Sequence, residues 1–326
     1  MLISILFCLS FLLLRQFSNA QERLKQNDMG VFGEHAIHRL DSIEIPKLDH
    51  QDHVIYHTAY TLSYNEKHEQ ASWVAYELTQ NETKIIYSRT NKFIPDPYVA
   101  TKTANDNDYL GSGYDRGHLA PASDMGWSLT TMTESFYYSN MSPQVPSFNR
   151  GIWKKLEEQV RTWAIEYDTV YVVTGPVLKD GLPTIGKNKV SIPEYYYKVV
   201  LEYSKSDVKG IGFVMKNESS VDPLQNFAVP IDSVEKLTGI DFFPKLSDDQ
   251  ERTIEKTVCK DCWTWKIQKI KSKKVDQSDV SESEKSKSKN LFLQHSLQCT
   301  ANTKSGSRCK RTTKSANQKC FQHGGY

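Results

Sequence analysis

An α+β domain with a mainly antiparallel sheet is the fold class the sequence predicts, and three observations predict it. From His57 onward, short stretches of alternating apolar and polar residues recur, the period of a half-buried strand. One long stretch, Ile152 to Ala164, repeats its apolar residues at helical spacing instead. Few of the strand pairs are joined by helical crossovers, which a parallel sheet requires.

The chain has 326 residues, 38% of them apolar and 11% aromatic, enough for one large core with appendages. Lys and Arg number 41 against 39 Asp and Glu, a net charge of +2, which excludes a polycation that holds nucleic acid by bulk charge. At the N-terminus an apolar block from Ile3 to Leu14 is followed by Arg15 and Ser18-Asn19-Ala20, a small-x-small pattern. These features predict a signal peptide over residues 1–20, although no Lys or Arg precedes the block. The block is shorter than the roughly 20 residues that span a bilayer, so the expectation is export to a periplasmic or extracellular compartment with no stable membrane insertion.

Residues 21–56 mix charges and histidines without a sustained period and read as an N-terminal arm, with His35 and His38 as surface histidines. The main domain is expected over 57–265. Its first strands are Tyr60 to Tyr64 and Trp73 to Leu78, continued by Ile85 to Arg89, and Pro95 and Pro97 end the series. A Gly-, Asn- and Asp-rich loop covers 98–113. Beyond the long helix, Thr169 to Thr174, Tyr195 to Tyr203 and Val208 to Met215 are strand-like, Val234 to Leu237 is a short helix before Gly239, and Asp241 to Pro244 is a packing turn.

Residues 266–294 are rich in Lys, Ser, Asp and Glu and read as a flexible charged linker. A small module over 295–326 carries Cys299, Cys309, Cys320 and His323 among Lys304, Arg308, Lys310, Arg311 and Lys314. Three thiolates and an imidazole can close a tetrahedral structural Zn²⁺ site, with disulfides as the alternative in an exported chain. Cys259 and Cys262 are expected to form a local disulfide or to pack beside Trp263 and Trp265.

Between the first strands and the long helix lies the stretch Tyr114-Asp115-Arg116-Gly117-His118-Leu119-Ala120-Pro121, followed by Asn140-Met141-Ser142-Pro143-Gln144 and Asn149-Arg150-Gly151-Ile152-Trp153. An imidazole takes a proton from water near neutral pH, an Asn oxygen suits a hard cation, and Arg matches a phosphate's oxygens. Phosphodiester hydrolysis uses all three. On an ideal helix Asn149 and Glu157 fall about 80° apart and Arg161 about 40° further round, so all three can lie toward one side. The plainer alternatives are an N-cap for Asn149 and a surface i, i+4 pair for Glu157 and Arg161.

These runs resemble the DNA/RNA non-specific endonuclease family, and the likeness extends to Trp73 to Leu78, Val173 to Pro176 and Ile192-Pro193. The resemblance implies a ββα-metal nuclease core within the antiparallel α+β domain. It assigns His118 as the general base and Asn149 as the direct ligand of one Mg²⁺, with Mn²⁺ as a substitute. Glu157 would hold water of the ion's shell and Arg161 would contact the phosphate, while Asp115, Arg116 and Asn140 would shape the pocket. DNA and RNA are then the substrates, a homodimer is allowed, and contacts confined to phosphate leave little sequence preference. One departure is that Asn91 stands where some relatives carry a catalytic Arg, with Arg89 two residues earlier. The competing functions are an inactive nucleic-acid-binding protein of the same fold and a nuclease toxin.

Overall fold

The structure is a computed structural model that describes residues 42–50, 52–204 and 208–266, with the backbone of 297–298 and 312–313. In chain order its strands are β1 (His53–Tyr56), β2 (Thr61–Asn65), β3 (Gln70–Thr79), β4 (Asp115–His118), β5 (Met141–Gln144), β6 (Thr169–Pro176), β7 (Thr184–Ile185), β8 (Val190–Ser191), β9 (Tyr195–Tyr203), β10 (Val208–Lys216) and β11 (Ala228–Val229). The α-helices are α1 (Asp106–Tyr109), α2 (Leu129–Glu134), α3 (Pro146–Phe148), α4 (Lys154–Glu166), α5 (Ile231–Thr238) and α6 (Asp248–Lys256). A further two-residue ladder pairs Leu297–Gln298 with Thr312–Thr313.

Seven strands form one sheet in the order β1-β2-β3-β6-β9-β10-β11, antiparallel throughout. Side chains alternate across a strand, so a sheet covered on both faces reads as a nearly continuous apolar run. β3 shows this directly: Val74, Tyr76 and Leu78 enter one buried cluster, and Trp73 and Ala75 enter another. β9 divides in the same way, with Tyr196 and Val200 on the first face and Tyr197, Val199 and Leu201 on the second.

α4 covers the first face through Leu156, Val160 and Trp163, all fully buried. Trp163 stacks within 4.5 Å of Trp263, and its Nε1 donates to the Thr264 carbonyl at 2.6 Å, which ties the end of the domain to the helix. Truncating so large a buried ring to alanine costs about 3–5 kcal/mol. The second face is covered by α5 and α6 through Ile231, Val234 and Ile254, with Phe242 and Phe243 beneath the turn between them. Glycine at 210 and 212 in β10 permits that approach, since a Cβ there would lie 2.6 Å from Ile231 Cδ1 and 2.8 Å from Val234 Cγ2.

Several local expectations change. β1 begins at His53, inside the stretch read as an arm, and Ile45 is buried; four residues between polar flanks are too few to show a period. Ile85 to Arg89 is extended but forms no strand, because the amides of Ile86 and Tyr87 both turn to the Gly126 carbonyl. The helix after the hairpin is not one α-helix: Asn149–Trp153 is a wide π-type turn with Gly151 at φ −106°, ψ −110°, and regular helix starts at Lys154. The angles computed for an ideal helix therefore do not apply between Asn149 and Glu157. The Cys259–Cys262 disulfide forms as one of the two expected readings had it. Cys299, Cys309, Cys320 and His323, the candidate zinc ligands, lie outside the described residues, as do the signal segment and most of the linker.

Candidate active site

β4 and β5 pair antiparallel with His118 opposite Met141 and Asp115 opposite Gln144. The approach is close at Gly117, where a Cβ would fall 2.2 Å from the Gln144 side chain, so the glycine is sterically required. β5 runs through α3 and the wide turn into α4, which completes a strand–strand–helix unit against the large sheet.

His118 sits at the end of β4 with only 7% of its surface exposed. Phe136 meets the imidazole edge to face at 4.8 Å and Phe93 at 5.9 Å. The Arg116 carbonyl accepts a hydrogen bond from the ring, and because Nε2 is buried with no partner, that bond falls on Nδ1. Nδ1 thus carries the hydrogen, and Nε2 presents a lone pair. Burial foremost, with the Arg89 charge, lowers the His118 pKa to about 3, against the opposing pull of the Arg116 carbonyl. The ring is therefore neutral at pH 7.

Asn149 spans from the wide turn to the hairpin. Its Nδ2 donates to Asp115 Oδ2 at 2.8 Å, which leaves its Oδ1 as the acceptor for an ion. Asp115 also receives Arg150 Nε at 2.8 Å and Nη2 at 2.5 Å. Partial burial works against the charged Asp115, yet these donors hold its pKa below the usual carboxylate value. Asn149 follows α3 and caps no helix start, so the N-cap reading is lost.

Glu157 lies in the first turn of α4, partly buried. Burial raises its pKa to about 7 against the pull of Arg161 and Lys198. A carboxylate so placed regains its charge when a cation arrives.

Arg161 is buried and does not form the surface i, i+4 pair that its spacing allows. Its Nη1 pairs with Asp124 Oδ1 at 2.6 Å inside the protein, and Asp124 Oδ2 accepts from Tyr76 at 2.9 Å. A guanidinium paired with a fully buried carboxylate is held within the protein. Asn140 is fully buried and bonds only backbone: it accepts from Ala120 N at 2.8 Å and donates to the Ala120 and Ser135 carbonyls at 2.9 Å each. It clamps the chain just after His118. Arg116 donates to Tyr138 Oη at 3.0 Å, pairs with Asp106 at 2.7 Å and lies over Phe93 at 4.9 Å, forming the rim.

Arg89 does reach the site. Its guanidinium lies 5.2 Å from the centre of the Phe136 ring, the ring that also contacts His118, and its charge is felt by both His118 and Glu157. Asn91 lies between Arg89 and Phe93 with φ +50°, and its Oδ1 accepts from Arg89 Nε at 3.3 Å.

Lys198 and Asp124 were not singled out in the sequence. Lys198 is fully buried on the face of β9 shared with Tyr196 and Val200, 4.9 Å from the Trp153 ring, and its Nζ has no hydrogen-bond partner among the described residues. A lysine at an inward position of an otherwise apolar strand was the available signal. Burial lowers its pKa to about 8 against the attraction of Glu157 and Asp124.

A hairpin that presents a neutral imidazole, backed by a helix that presents a carboxylate, defines the ββα core of a nuclease. Residues 43–249 match the family model described as DNA/RNA non-specific endonuclease, and the chain belongs to that family. Mitochondrial endonuclease G of Bos taurus is 37% identical over 204 residues, covering 58% of this chain and 68% of that protein. Nuclease C1 of Cunninghamella echinulata var. echinulata is 38% identical over 205 residues, covering 58% and 81%. Among solved structures, a chain of the EndoG/EndoGI complex superposes with a TM-score of 0.60 at 34% identity, covering 66% of this chain and 94% of that one. The protein is accordingly a phosphodiester hydrolase acting on nucleic acid.

Proposed function

We propose that the chain is a divalent-metal-dependent endonuclease that cleaves both DNA and RNA, with His118 as general base and Asn149 and Glu157 as the groups that hold Mg²⁺ or Mn²⁺. One observation carries this reading: His118 Nε2 is buried, unpartnered and proton-free, while Nδ1 is fixed on the Arg116 carbonyl. A buried acceptor without a donor costs about 1–3 kcal/mol, and such a group is accounted for when its donor is a reactant.

In this mechanism Nε2 takes the proton of a water that attacks phosphorus in line, a contribution of about 10²–10⁴-fold. Asn140 keeps the imidazole in place through the Ala120 backbone, and Phe136 and Phe93 exclude competing water. Arg89, at the rim beside Phe136, is placed to meet a phosphate oxygen, the role first expected of Arg161. The bound cation would neutralise charge that develops on the phosphate. None of these groups reads a base edge, so cleavage follows backbone shape rather than sequence.

Export is supported by the N-terminal apolar block and by the Cys259–Cys262 disulfide, a linkage that persists in oxidising compartments. Among the described residues no helix is long and apolar enough to cross a membrane. Digestion of supercoiled plasmid and of structured RNA, with Mg²⁺ and with chelator, tests the proposal. Both substrates should be cut with Mg²⁺ and neither with chelator, and Asn149→Ala should need far more metal. Binding of both substrates without cleavage would return the chain to an inactive binding protein.

A further inference from the structure

The opposite face of the sheet holds a second acidic arrangement that phosphodiester hydrolysis does not use. Asp232 and Glu235 on α5 and Glu255 on α6 place one carboxylate oxygen each so that all three lie within 4.8 Å of one another. Asp232 and Glu255 border a cleft of about 390 Å³ that is also lined by Asp248, Glu251, Arg252 and Lys256.

Glu255 is the telling member. It is 6% exposed, and its Oε1 is buried with no hydrogen-bond partner. An exposed cluster of acids on a helix surface is ordinary, but one that includes a buried carboxylate oxygen with no partner is not. Glu235 is held in place because its Oε1 accepts the Phe242 amide at 2.8 Å. Of the cations nearby, Arg252 pairs with Asp249 at 3.4 Å, Lys47 pairs with Asp241 at 2.9 Å, and Lys256 lines the same cleft. Burial, with repulsion from Glu235, Glu251 and Asp232, raises the Glu255 pKa to about 8.

We propose that Asp232, Glu235 and Glu255 form a Ca²⁺-binding site that clamps α5 to α6. Calcium takes carboxylate oxygens at about 2.3–2.6 Å, so ligands across the ion stand up to roughly 5 Å apart, a span that three oxygens within 4.8 Å of one another satisfy. Three carboxylates on two helices leave room for water and for the neighbouring Asp248 and Glu251 in a six- to eight-oxygen shell. A site this open, assembled from helix surfaces rather than from one loop, belongs with sites whose Kd is on the order of 10⁻⁴–10⁻³ M. The ion would sit under the Phe242–Phe243 turn, across the sheet from His118, so its effect falls on stability.

The test is the melting temperature of the full chain in metal-free buffer and over a CaCl₂ titration. At about ten times Kd the wild-type Tm should rise by about 3–6 °C. Asn149→Ala should keep that rise, because the nuclease site is elsewhere. Glu255→Gln should raise the metal-free Tm and abolish the response to calcium; Asp232→Asn, at an exposed position where folding is safe, should weaken the response at least several-fold. A wild-type chain indifferent to calcium would overturn the proposal and leave a shared proton as the occupant. So would a rise that is lost in Asn149→Ala, or one that persists unchanged in Asp232→Asn.

Discussion

Replacing Lys198 with methionine should make the protein more stable and a poorer nuclease. The ammonium is fully buried, has no hydrogen-bond partner among the described residues, and gains only the attraction of Glu157 and Asp124. A pKa lowered from 10.5 to about 8 means that the fold disfavours the charged lysine by roughly 3 kcal/mol, at about 1.36 kcal/mol per pH unit. Methionine keeps the length and the contact with Trp153 without the charge. Allowing for repacking, the gain should be about 1–3 kcal/mol, or about 2–10 °C in Tm for a domain of this size. The sign with pH follows from linkage. The unfolded lysine binds its proton up to 10.5 and the folded one only up to about 8, so Lys198 costs stability in full below pH 8. That cost fades as pH rises to 10.5. The difference in Tm between variant and wild type should therefore be largest near pH 7 and shrink through this window. Function moves the other way, because losing a cation beside Glu157 raises the Glu157 pKa further and makes metal binding at pH 7 weaker by several-fold. A variant that melts below the wild type at pH 7, or a difference that does not change with pH, would refute the reasoning.

Asp124→Ala strands the Arg161 guanidinium in the interior and should cost about 3–5 kcal/mol, read as a lower urea midpoint; adding Arg161→Met should recover most of it, and no recovery would remove the buried pair from the account. Metal affinity should fall as pH drops below about 7, by up to tenfold per unit, since a protonated Glu157 must lose its proton to the ion. Calorimetric titration with Mg²⁺ over pH 5–8 checks this, and Glu157→Gln should flatten the dependence.

The candidate site residues were legible through a family resemblance carried by short runs, while the residue types alone left their roles open. Asp115, Gly117 and His118 are contiguous, and β5 answers β4 within the same short stretch of chain. The helix face of Leu156, Val160 and Trp163 was equally plain from its period. What the sequence hid depends on distance or on small departures from ideal geometry. Arg161 finds Asp124, 37 positions away, because a fully buried carboxylate at 2.6 Å is a partner that helical spacing cannot reveal. The kink at Gly151 cannot be read from apolar spacing, since Ile152 and Trp153 bury in either geometry. α6 escaped notice because Asp248–Lys256 carries one apolar residue, Ile254, and relies on the Ser247 capping box and the sheet behind it.

The central claim is that an uncharged imidazole, held by Nδ1 and bare at Nε2, removes the proton from the attacking water. Initial rates of plasmid cleavage at pH 7 in saturating Mg²⁺, with far-UV circular dichroism as the control for folding, test it on wild type and His118→Ala. A loss of at least about 10²-fold in kcat with an unchanged spectrum is the predicted result. A folded His118→Ala protein that cuts within a few-fold of the wild-type rate would contradict it.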